Sequence, residues 1–298
     1  EISLGLVGSE MCIRDSYTVL PTPRVITVTS DSEDGEGVAD TGDKVTITGE
    51  NFGTDPSDIS VSFNGTPAEF ELVDESTIVA TTPADYQTGS VTVTIHGYTM
   101  TGGAMFNPNS KGDVTVLYLQ NYKQPFAKAN DESWKNGEWW TPAVWNQNAA
   151  SFNAKGNTTV SGMQYKSEEG LTLAFQNGWD KEAYTNGKMW QVATLRPGKY
   201  RLEVTYAYTL VVTDAGNFIS VLIAKGDSES DIPNVADLEQ LNGVYVAYDK
   251  MGTANDSGTL VTPSFEVTET TDVVIGFLTS LAKGNSYFKV TELKLILE

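Results

Sequence analysis

The sequence contains few of the residues that build metal, redox and nucleic-acid sites. Its 298 residues include one cysteine, Cys12, and one histidine, His96. A single cysteine forms no disulfide within the chain, and zinc sites of four Cys, or of two Cys and two His, are excluded. Lys and Arg number 19 against 39 Asp and Glu, a formal net charge of −20. Because phosphate backbones and anionic lipids are bound through clustered Lys and Arg, nucleic-acid and peripheral-membrane functions are disfavoured.

Long apolar runs are also missing. No stretch of about 18 consecutive apolar residues occurs, so the sequence predicts no transmembrane segment. The chain nevertheless has 40% hydrophobic and 10% aromatic residues, which is enough to build cores and excludes global disorder. A chain of this length predicts two domains rather than one.

The first residues differ in character from the rest. Residues 6–16 read LVGSEMCIRDS and resemble the translation of a transposase-type sequencing adapter. We therefore interpret residues 1–16 as an artefact and exclude them from fold reasoning. Cys12 then carries no information about redox environment, and we expect the natural N-terminus, with any signal peptide or lipid anchor, to be missing. The alternative is a native, poorly ordered segment.

From Arg24 onward the pattern predicts an all-β chain. Short Thr- and Val-rich segments alternate with period 2 and are separated by Gly, Asn, Asp and Pro. The sequence does not alternate between predicted strands and predicted helices, so a Rossmann-like fold is excluded. Predicted strands of the first block are 25–29, 44–48, 59–63, 68–73, 77–81 and 90–95. The predicted domains are 24–107 and 113–298, with linkers at 17–23 and 108–112.

The second block is less regular at its start. About fifty residues rich in Trp, Asn and Gly follow the segment 113–119, and loops of this kind tend to carry function. Pro197-Gly198 predicts a turn joining two strands as a hairpin. A helical turn is predicted at 236–241. Predicted strands of this block are 113–119, 171–175, 188–195, 199–208, 218–224, 265–268, 273–277 and 287–297.

Residues 42–53, GDKVTITGENFG, resemble the signature of IPT/TIG immunoglobulin-like domains, and residues 61–68 and 76–95 resemble its later strands. The resemblance implies a small sandwich over about 23–107. Gly49 and Gly53 would permit a tight turn, Asn51 would tie it, and Phe52 would plug the end of the sandwich. In extracellular proteins this family usually serves as a spacer or interaction module.

Three stretches of the second block carry another resemblance. They read WTPAVW at 140–145, NGKMWQ at 186–191 leading to PGKY at 197–200, and FKVTEL at 288–293. They are similar to a galactose-binding-like jelly-roll family on surface lipoproteins of glycan-degrading Bacteroidetes. Behind a TIG spacer, the resemblance implies a surface glycan-binding protein, anchored to the outer membrane by lipid, that accompanies a polysaccharide transporter.

Aromatic residues are the candidates for sugar binding. Four of the six tryptophans, at positions 134, 139, 140 and 145, lie within twelve positions. The apolar face of a pyranose stacks on such rings, while amides and carboxylates bond its hydroxyls. We predict ring platforms among Trp134, Trp140, Trp179 and Tyr184, with Asn177 and Asp180 as hydrogen-bonding partners.

Burial is the competing interpretation for these rings. In an extended segment Trp139 and Trp140 point to opposite faces, so at most one is a platform. Trp145 is predicted to be core and Trp190 at least half buried. If all the tryptophans were core, the protein would be an adhesin or structural spacer that binds protein partners.

The other polar features of the sequence do not point to a particular catalytic reaction. Residues 227–231, DSESD, place carboxylates at alternate positions that could coordinate Ca²⁺, but a solvated acidic loop is favoured. His96 is predicted to be a surface residue. We predict no catalytic residues and no cofactor, and hence a non-enzymatic protein that binds a polysaccharide or oligosaccharide. An accessory module of a glycoside hydrolase is the second alternative.

Overall fold

A computed structural model describes residues 21–32, 36–129, 139–151, 154–155, 158–159, 161–178, 183–211, 216–250, 254–282 and 285–298. The interpreted artefact at 1–16 lies outside them. The described chain is all-β and forms two successive sandwiches, which confirms the predicted fold class. In this part of the chain no helix is long and apolar enough to cross a membrane.

The first sandwich contains eight strands. They are β1 Arg24–Ser30, β2 Lys44–Glu50, β3 Ile59–Phe63, β4 Thr66–Ala68, β5 Phe70–Asp74, β6 Thr77–Thr81, β7 Gly89–Ile95 and β8 Tyr98–Met105. They form two antiparallel four-stranded sheets, ordered β1-β2-β6-β5 and β4-β3-β7-β8. Alternate residues of β7, such as Val91 and Val93, are buried between the sheets, as the period-2 pattern predicts. A 3-10 helix covers Pro56–Asp58.

The turn after β2 has the structural roles that the IPT/TIG resemblance implied. Phe52 is buried at the end of the sandwich. A Cβ on Gly49 would lie 2.3 Å from the Cζ atom of Phe52, so glycine is needed for this ring to fit. Asn51 adopts a φ of 61° and donates from Nδ2 to the Thr22 carbonyl at 3.0 Å.

The second sandwich is larger. Its two main sheets are antiparallel: β10-β14-β15-β23-β17-β20, with β9 on β23 and β21 on β17, and β11-β16-β22-β18-β19. The elements are β9 Gly112–Asp113, α1 Thr115–Tyr118, β10 Trp139–Trp140, β11 Asn146–Gln147, β12 Ala154–Lys155, β13 Thr158–Thr159, β14 Ser161–Lys166, β15 Gly170–Asn177, β16 Tyr184–Leu195, β17 Gly198–Thr209, β18 Phe218–Lys225, β19 Gly243–Ala247, β20 Asp256–Val261, β21 Phe265–Val267, β22 Thr271–Leu281 and β23 Ser286–Leu297.

The segment 113–119 differs from its prediction as a strand. Only Asp113 pairs in a sheet, and the chain then forms the short helix α1. The Asp113 carboxylate accepts from the Thr115 backbone N–H at 3.0 Å and from its hydroxyl at 2.5 Å. This local side-chain bonding turns the backbone away from the extended path that Val and Thr favour.

The turn at Pro197-Gly198 joins β16 and β17, but these strands do not pair with each other. Strand β16 pairs with β11 and β22, whereas β17 pairs with β20, β21 and β23 in the opposite sheet. The predicted hairpin is therefore wrong, and the turn is an arch between the sheets. A Cβ on Gly198 would lie 2.7 Å from the Cδ1 atom of Leu297, so any larger residue here would displace that side chain.

The two sandwiches share a core. Val38 and Phe106 come from the first sandwich, yet their side chains belong to the apolar cluster of the second. The Arg196 guanidinium carbon lies 5.6 Å from the Phe106 ring centroid, and its Nη2 donates to the Glu36 carbonyl at 2.9 Å. In the connecting segment, Ser110 is buried and its Oγ accepts from the Thr88 N–H at 2.9 Å.

Gln191 fixes the entry segment of the second sandwich. Its buried amide donates to the Gln120 carbonyl at 2.7 Å and accepts from the Gln120 N–H at 3.1 Å. Because Gln191→Ala leaves both backbone groups of Gln120 without this partner, we expect a loss of about 1–3 kcal/mol of unfolding free energy in urea denaturation. Val192→Ala is the control, since Val192 is 40% exposed and should change stability by less than about 0.5 kcal/mol. Equal stability of the two variants would contradict the expectation.

Candidate functional site

The structure describes three of the six predicted site residues. Trp134, Trp179 and Asp180 lie outside the described residues. Trp140, Tyr184 and Asn177 are described, and all three are buried.

Their contacts make these three residues structural. Trp140 packs in the main core of the second sandwich. The Tyr184 hydroxyl hydrogen-bonds the Thr279 hydroxyl at 3.1 Å, and burial raises the pKa of Tyr184. Asn177 donates from Nδ2 to the Leu281 carbonyl at 3.1 Å. Neither ring presents a face to solvent, so the expectation of a sugar platform is corrected for Trp140 and Tyr184, and that of a hydroxyl partner for Asn177.

The other described tryptophans are also interior. Trp145 is core, with its ring centroid 5.9 Å from that of Phe277, as predicted. Trp139 and Trp140 pair with Gln164 and Met163 in successive registers and therefore point to opposite faces, yet both are buried. Trp190 is 8% exposed, which confirms that it is at least half buried.

Trp190 belongs to a second, smaller apolar cluster on the outer face of its sheet. This face is covered by residues 226–242, which we call the cap. The cap holds two 3-10 helices, Glu229–Asp231 and Val235–Gln240, of which the second confirms the helical turn predicted at 236–241. Cap side chains Ile232, Val235, Leu238 and Leu241 pack against Trp190, Leu222, Val274 and Leu278.

Polar side chains of the second sandwich anchor the cap. The Lys188 ammonium is buried, donates to the Ile232 carbonyl, and lies 3.4 Å from the Glu229 carbonyl. Burial lowers the pKa of Lys188, and the nearby Glu229 carboxylate opposes that shift. Asn148 donates to the Glu229 carboxylate at 3.2 Å, and the Val235 N–H donates to the Asn186 side chain at 2.9 Å.

The acidic start of the cap is held by its own loop. The Asp231 carboxylate accepts from the N–H groups of Asp227 and Ser228 at 3.1 and 3.0 Å, and from the Ser228 hydroxyl at 2.7 Å. The Ser228 hydroxyl is the main reason that the pKa of Asp231 is lowered. Among the described residues, no group of three or more His, Cys, Asp and Glu side chains is placed to hold a metal ion.

A cleft of about 480 Å³ lies along the cap, and we call it the cap cleft. Lys188 comes from β16, Lys225 ends β18, and the other lining residues belong to the cap. The lining residues are Lys188, Lys225, Ser230, Asp231, Ile232, Pro233, Asn234, Asp237, Gln240 and Asn242. The volume lies in the range of small-molecule sites, but the lining is far more polar than usual.

Five side chains of the cap cleft have no hydrogen-bond or ion-pair partner within the described part of the chain. These are Lys225, Asn234, Asp237, Gln240 and Asn242. Together they offer ammonium and amide donors and carboxylate and amide acceptors. Such a set can bind a ligand with many hydroxyl groups.

Two other cavities lie away from the cap. One of about 420 Å³ on the first sandwich is lined in part by Pro21, Pro23, Ile95 and Tyr98. His96 is exposed there, as predicted, and lies 3.3 Å from the Asp58 carboxylate. Another of about 380 Å³ lies between the sandwiches beside Phe106.

The sequence did not reveal the cap cleft. Residues 225–242 read KGDSESDIPNVADLEQLN, and only their acidic start was considered as a possible site. Apolar residues at 232, 235, 238 and 241 recur at a spacing of three, which matches the 3-10 turns that pack them on the sheet. That spacing could have indicated a packed segment instead of a solvated loop.

Comparisons with solved structures find proteins of low sequence identity and low structural similarity. SGBP-B from a complex xyloglucan utilization locus in Bacteroides uniformis is 14% identical, with 93% of this chain and 73% of that chain covered and a TM-score of 0.28. The CBM22-1 xylan-binding domain of Paenibacillus barcinonensis Xyn10C is 13% identical, with 57% and 97% covered and a TM-score of 0.32. The Stig cyclase Fisc from Fischerella sp. TAU is 13% identical, with 58% and 96% covered and a TM-score of 0.35. Similarities of this size assign no function to the chain.

Family comparisons are more informative. No curated protein matches the sequence. Residues 35–110 match the IPT/TIG domain family, which confirms the resemblance carried by residues 42–53. Residues 120–276 match the family described as a domain of unknown function, DUF5013. Because the second match spans more than half of the 298 residues, the chain belongs to the DUF5013 family.

Proposed function

We propose that this protein binds glycans without modifying them, and that the cap cleft is a binding site. The observation that carries the proposal is the set of five unpartnered polar side chains lining one cleft of about 480 Å³. A sugar ring presents hydroxyl groups around its whole edge, and each of them both donates and accepts. The mixed lining of Lys, Asp, Asn and Gln complements that pattern.

The expected affinity is modest. Five hydrogen bonds that each contribute about 0.5–1.5 kcal/mol give roughly 3–8 kcal/mol, which corresponds to millimolar to micromolar dissociation constants. Several copies displayed on one surface would raise the effective affinity for a polymer. The cap anchors support binding, because Lys188 and Asn186 hold the cleft wall in place before a ligand arrives.

The carboxylates of the cleft support binding without catalysis. Glycoside hydrolysis by the usual route needs two carboxyl groups placed about 5–9.5 Å apart. Asp231 and Asp237 line the cleft, but the Oδ2 atom of Asp231 is occupied by donors of its own loop. This leaves Asp237 as the cleft carboxylate with no partner in the described chain.

The cellular setting is part of the same proposal. From the family resemblances we infer an extracellular, cell-surface protein, held at the outer membrane by an N-terminal lipid and working beside a glycan transporter. Trp134, Trp179 and Asp180 remain predicted as additional contacts.

Affinity gel electrophoresis against a polysaccharide panel tests the proposal. We expect at least one polysaccharide to retard the protein, and the double variant Asp237→Ala, Asn242→Ala to weaken binding by at least about tenfold. Glu239→Ala is the matched control, since Glu239 is an exposed cap carboxylate outside the cleft lining.

Three outcomes would contradict the proposal. Full retention of binding by the double variant would remove the cap cleft as the site. Migration unaffected by every polysaccharide would favour the adhesin or spacer. Release of reducing sugar from a retained polysaccharide would show an enzyme or its accessory module.

A further inference from the structure

The charges of the cap cleft narrow the class of glycan. Four charged side chains line it, with Lys188 and Lys225 cationic and Asp231 and Asp237 anionic. These formal charges cancel within the cleft. A ligand that carries a net charge of either sign therefore meets groups of its own sign at close range, whereas an uncharged ligand does not.

Two of the four charges are already engaged. The Lys188 ammonium is directed at the carbonyls of Ile232 and Glu229, and Asp231 is held by the N–H groups of Asp227 and Ser228. The charges left for a ligand are those of Lys225 and Asp237. Because one is positive and one negative, an acidic sugar gains one attraction and one repulsion.

The surroundings of the cleft decide against the acidic sugar. The cap carries Asp227, Glu229, Asp231, Asp237 and Glu239 and contains no Lys or Arg. The whole chain, cap included, has a formal net charge of −20. Such a field lowers the local concentration of polyanions and slows their approach, most strongly at low ionic strength.

We propose that the cap cleft selects uncharged glycans and discriminates against uronate-containing or sulfated ones. This inference rests on the proposed glycan-binding function and adds the ligand class. The cleft recognises hydroxyl groups through neutral amides and through Lys225 and Asp237, whose opposite charges sum to zero. The acidic cap repels polyanions before they reach it.

The test compares each polymer with a form in which some primary alcohols have been converted to carboxylates. The panel consists of mixed-linkage β-glucan, galactomannan, xyloglucan and pullulan, each also used after oxidation of its primary alcohols to carboxylates. We expect each polymer that binds to bind at least about fivefold more weakly once oxidised, at 20 mM NaCl. The difference should shrink at 300 mM NaCl, while binding of the uncharged form should change by less than about twofold.

A charge variant of the cleft provides the second readout. Asp237→Asn keeps a carbonyl acceptor and removes the negative charge. We expect the ratio of the affinity for the uncharged polymer to the affinity for the oxidised polymer to be at least about fivefold smaller in this variant than in the wild type. Glu239→Gln removes a cap charge outside the cleft lining and should have a smaller effect.

The failures of the two proposals are distinguishable. Equal or tighter binding of the oxidised polymers would overturn the discrimination while leaving glycan binding intact. The discrimination would also be overturned if Asp237→Asn left the difference in affinity between uncharged and oxidised polymer unchanged. If neither form of any polymer bound, the proposed function itself would fall, and this inference with it.

Discussion

Phe106→Ala is expected to lower the free energy of unfolding by about 3–5 kcal/mol, the loss typical of a large ring removed from a core. Phe106 follows the last strand of the first sandwich, but its side chain lies in the core of the second. Its backbone also binds the first sandwich, since its N–H donates to the Gly37 carbonyl at 2.8 Å and its carbonyl accepts from the Ala39 N–H at 3.0 Å. The truncation therefore removes an apolar contact that couples the two domains.

Urea denaturation followed by tryptophan fluorescence and far-ultraviolet circular dichroism measures this effect. The wild type should unfold with coincident transitions, whereas the variant should show two separated ones, because the domains no longer stabilise each other. Tyr98→Ala serves as the control, since Tyr98 is an aromatic residue of β8 that is 53% exposed and should cost less than about 0.5 kcal/mol. A loss below about 1 kcal/mol for Phe106→Ala would show that the shared core does not couple the domains.

Alkaline pH is expected to unfold the protein steeply above pH 10. Burial raises the pKa of Tyr86, Tyr184, Tyr200 and Tyr248. In the unfolded chain a tyrosine releases its proton near pH 10, so above that pH the folded state binds more protons than the unfolded state. The free energy of unfolding then falls by about 1.4 kcal/mol per pH unit for each tyrosine that stays protonated.

Lys188 has the opposite pH dependence at lower pH. Its pKa is lowered in the folded state, so stability contributed by this group rises with pH until the unfolded lysine also deprotonates. One lysine cannot offset four tyrosines. We expect the net stability to decline above pH 10.

Urea titrations at pH 9, 10, 11 and 11.5 measure the slope. Above pH 10, the unfolding free energy of Tyr184→Phe should fall less steeply with pH than that of the wild type, by about 1.4 kcal/mol per pH unit. The reason is that Tyr184 is buried and burial raises its pKa. An unchanged slope in Tyr184→Phe would mean that this tyrosine ionises equally in both states.

The first sandwich was predictable because its signals are local. Gly49 and Phe52 contact each other three residues apart, and the alternation of Val91 and Val93 directly reports a buried face. The arch at Pro197-Gly198 was not predictable, because a turn sequence fixes the local bend and not the strand that each arm will pair with. Pairing of β16 with β22 and of β17 with β23 is decided by residues distant in the chain.

The candidate site was harder to predict for a related reason. A dense set of tryptophans signals large apolar surface, but not whether that surface faces sugar or core. Trp140 and Trp145 face the core. The cap cleft depends on Lys188, whose place on a neighbouring strand gives an otherwise polar loop a buried anchor. The sequence of residues 226–242 contains no local signal that Lys188 will pack against them.

The way the cap meets its sheet has an evolutionary consequence. Four apolar side chains, at 232, 235, 238 and 241, attach it to Trp190 and its neighbours, while the five unpartnered side chains of the cleft make no hydrogen bond or ion pair with the rest of the described chain. Substitutions at those polar positions leave the scaffold intact. Relatives that keep the apolar quartet are free to exchange the intervening residues, and so to diversify what they recognise without refolding.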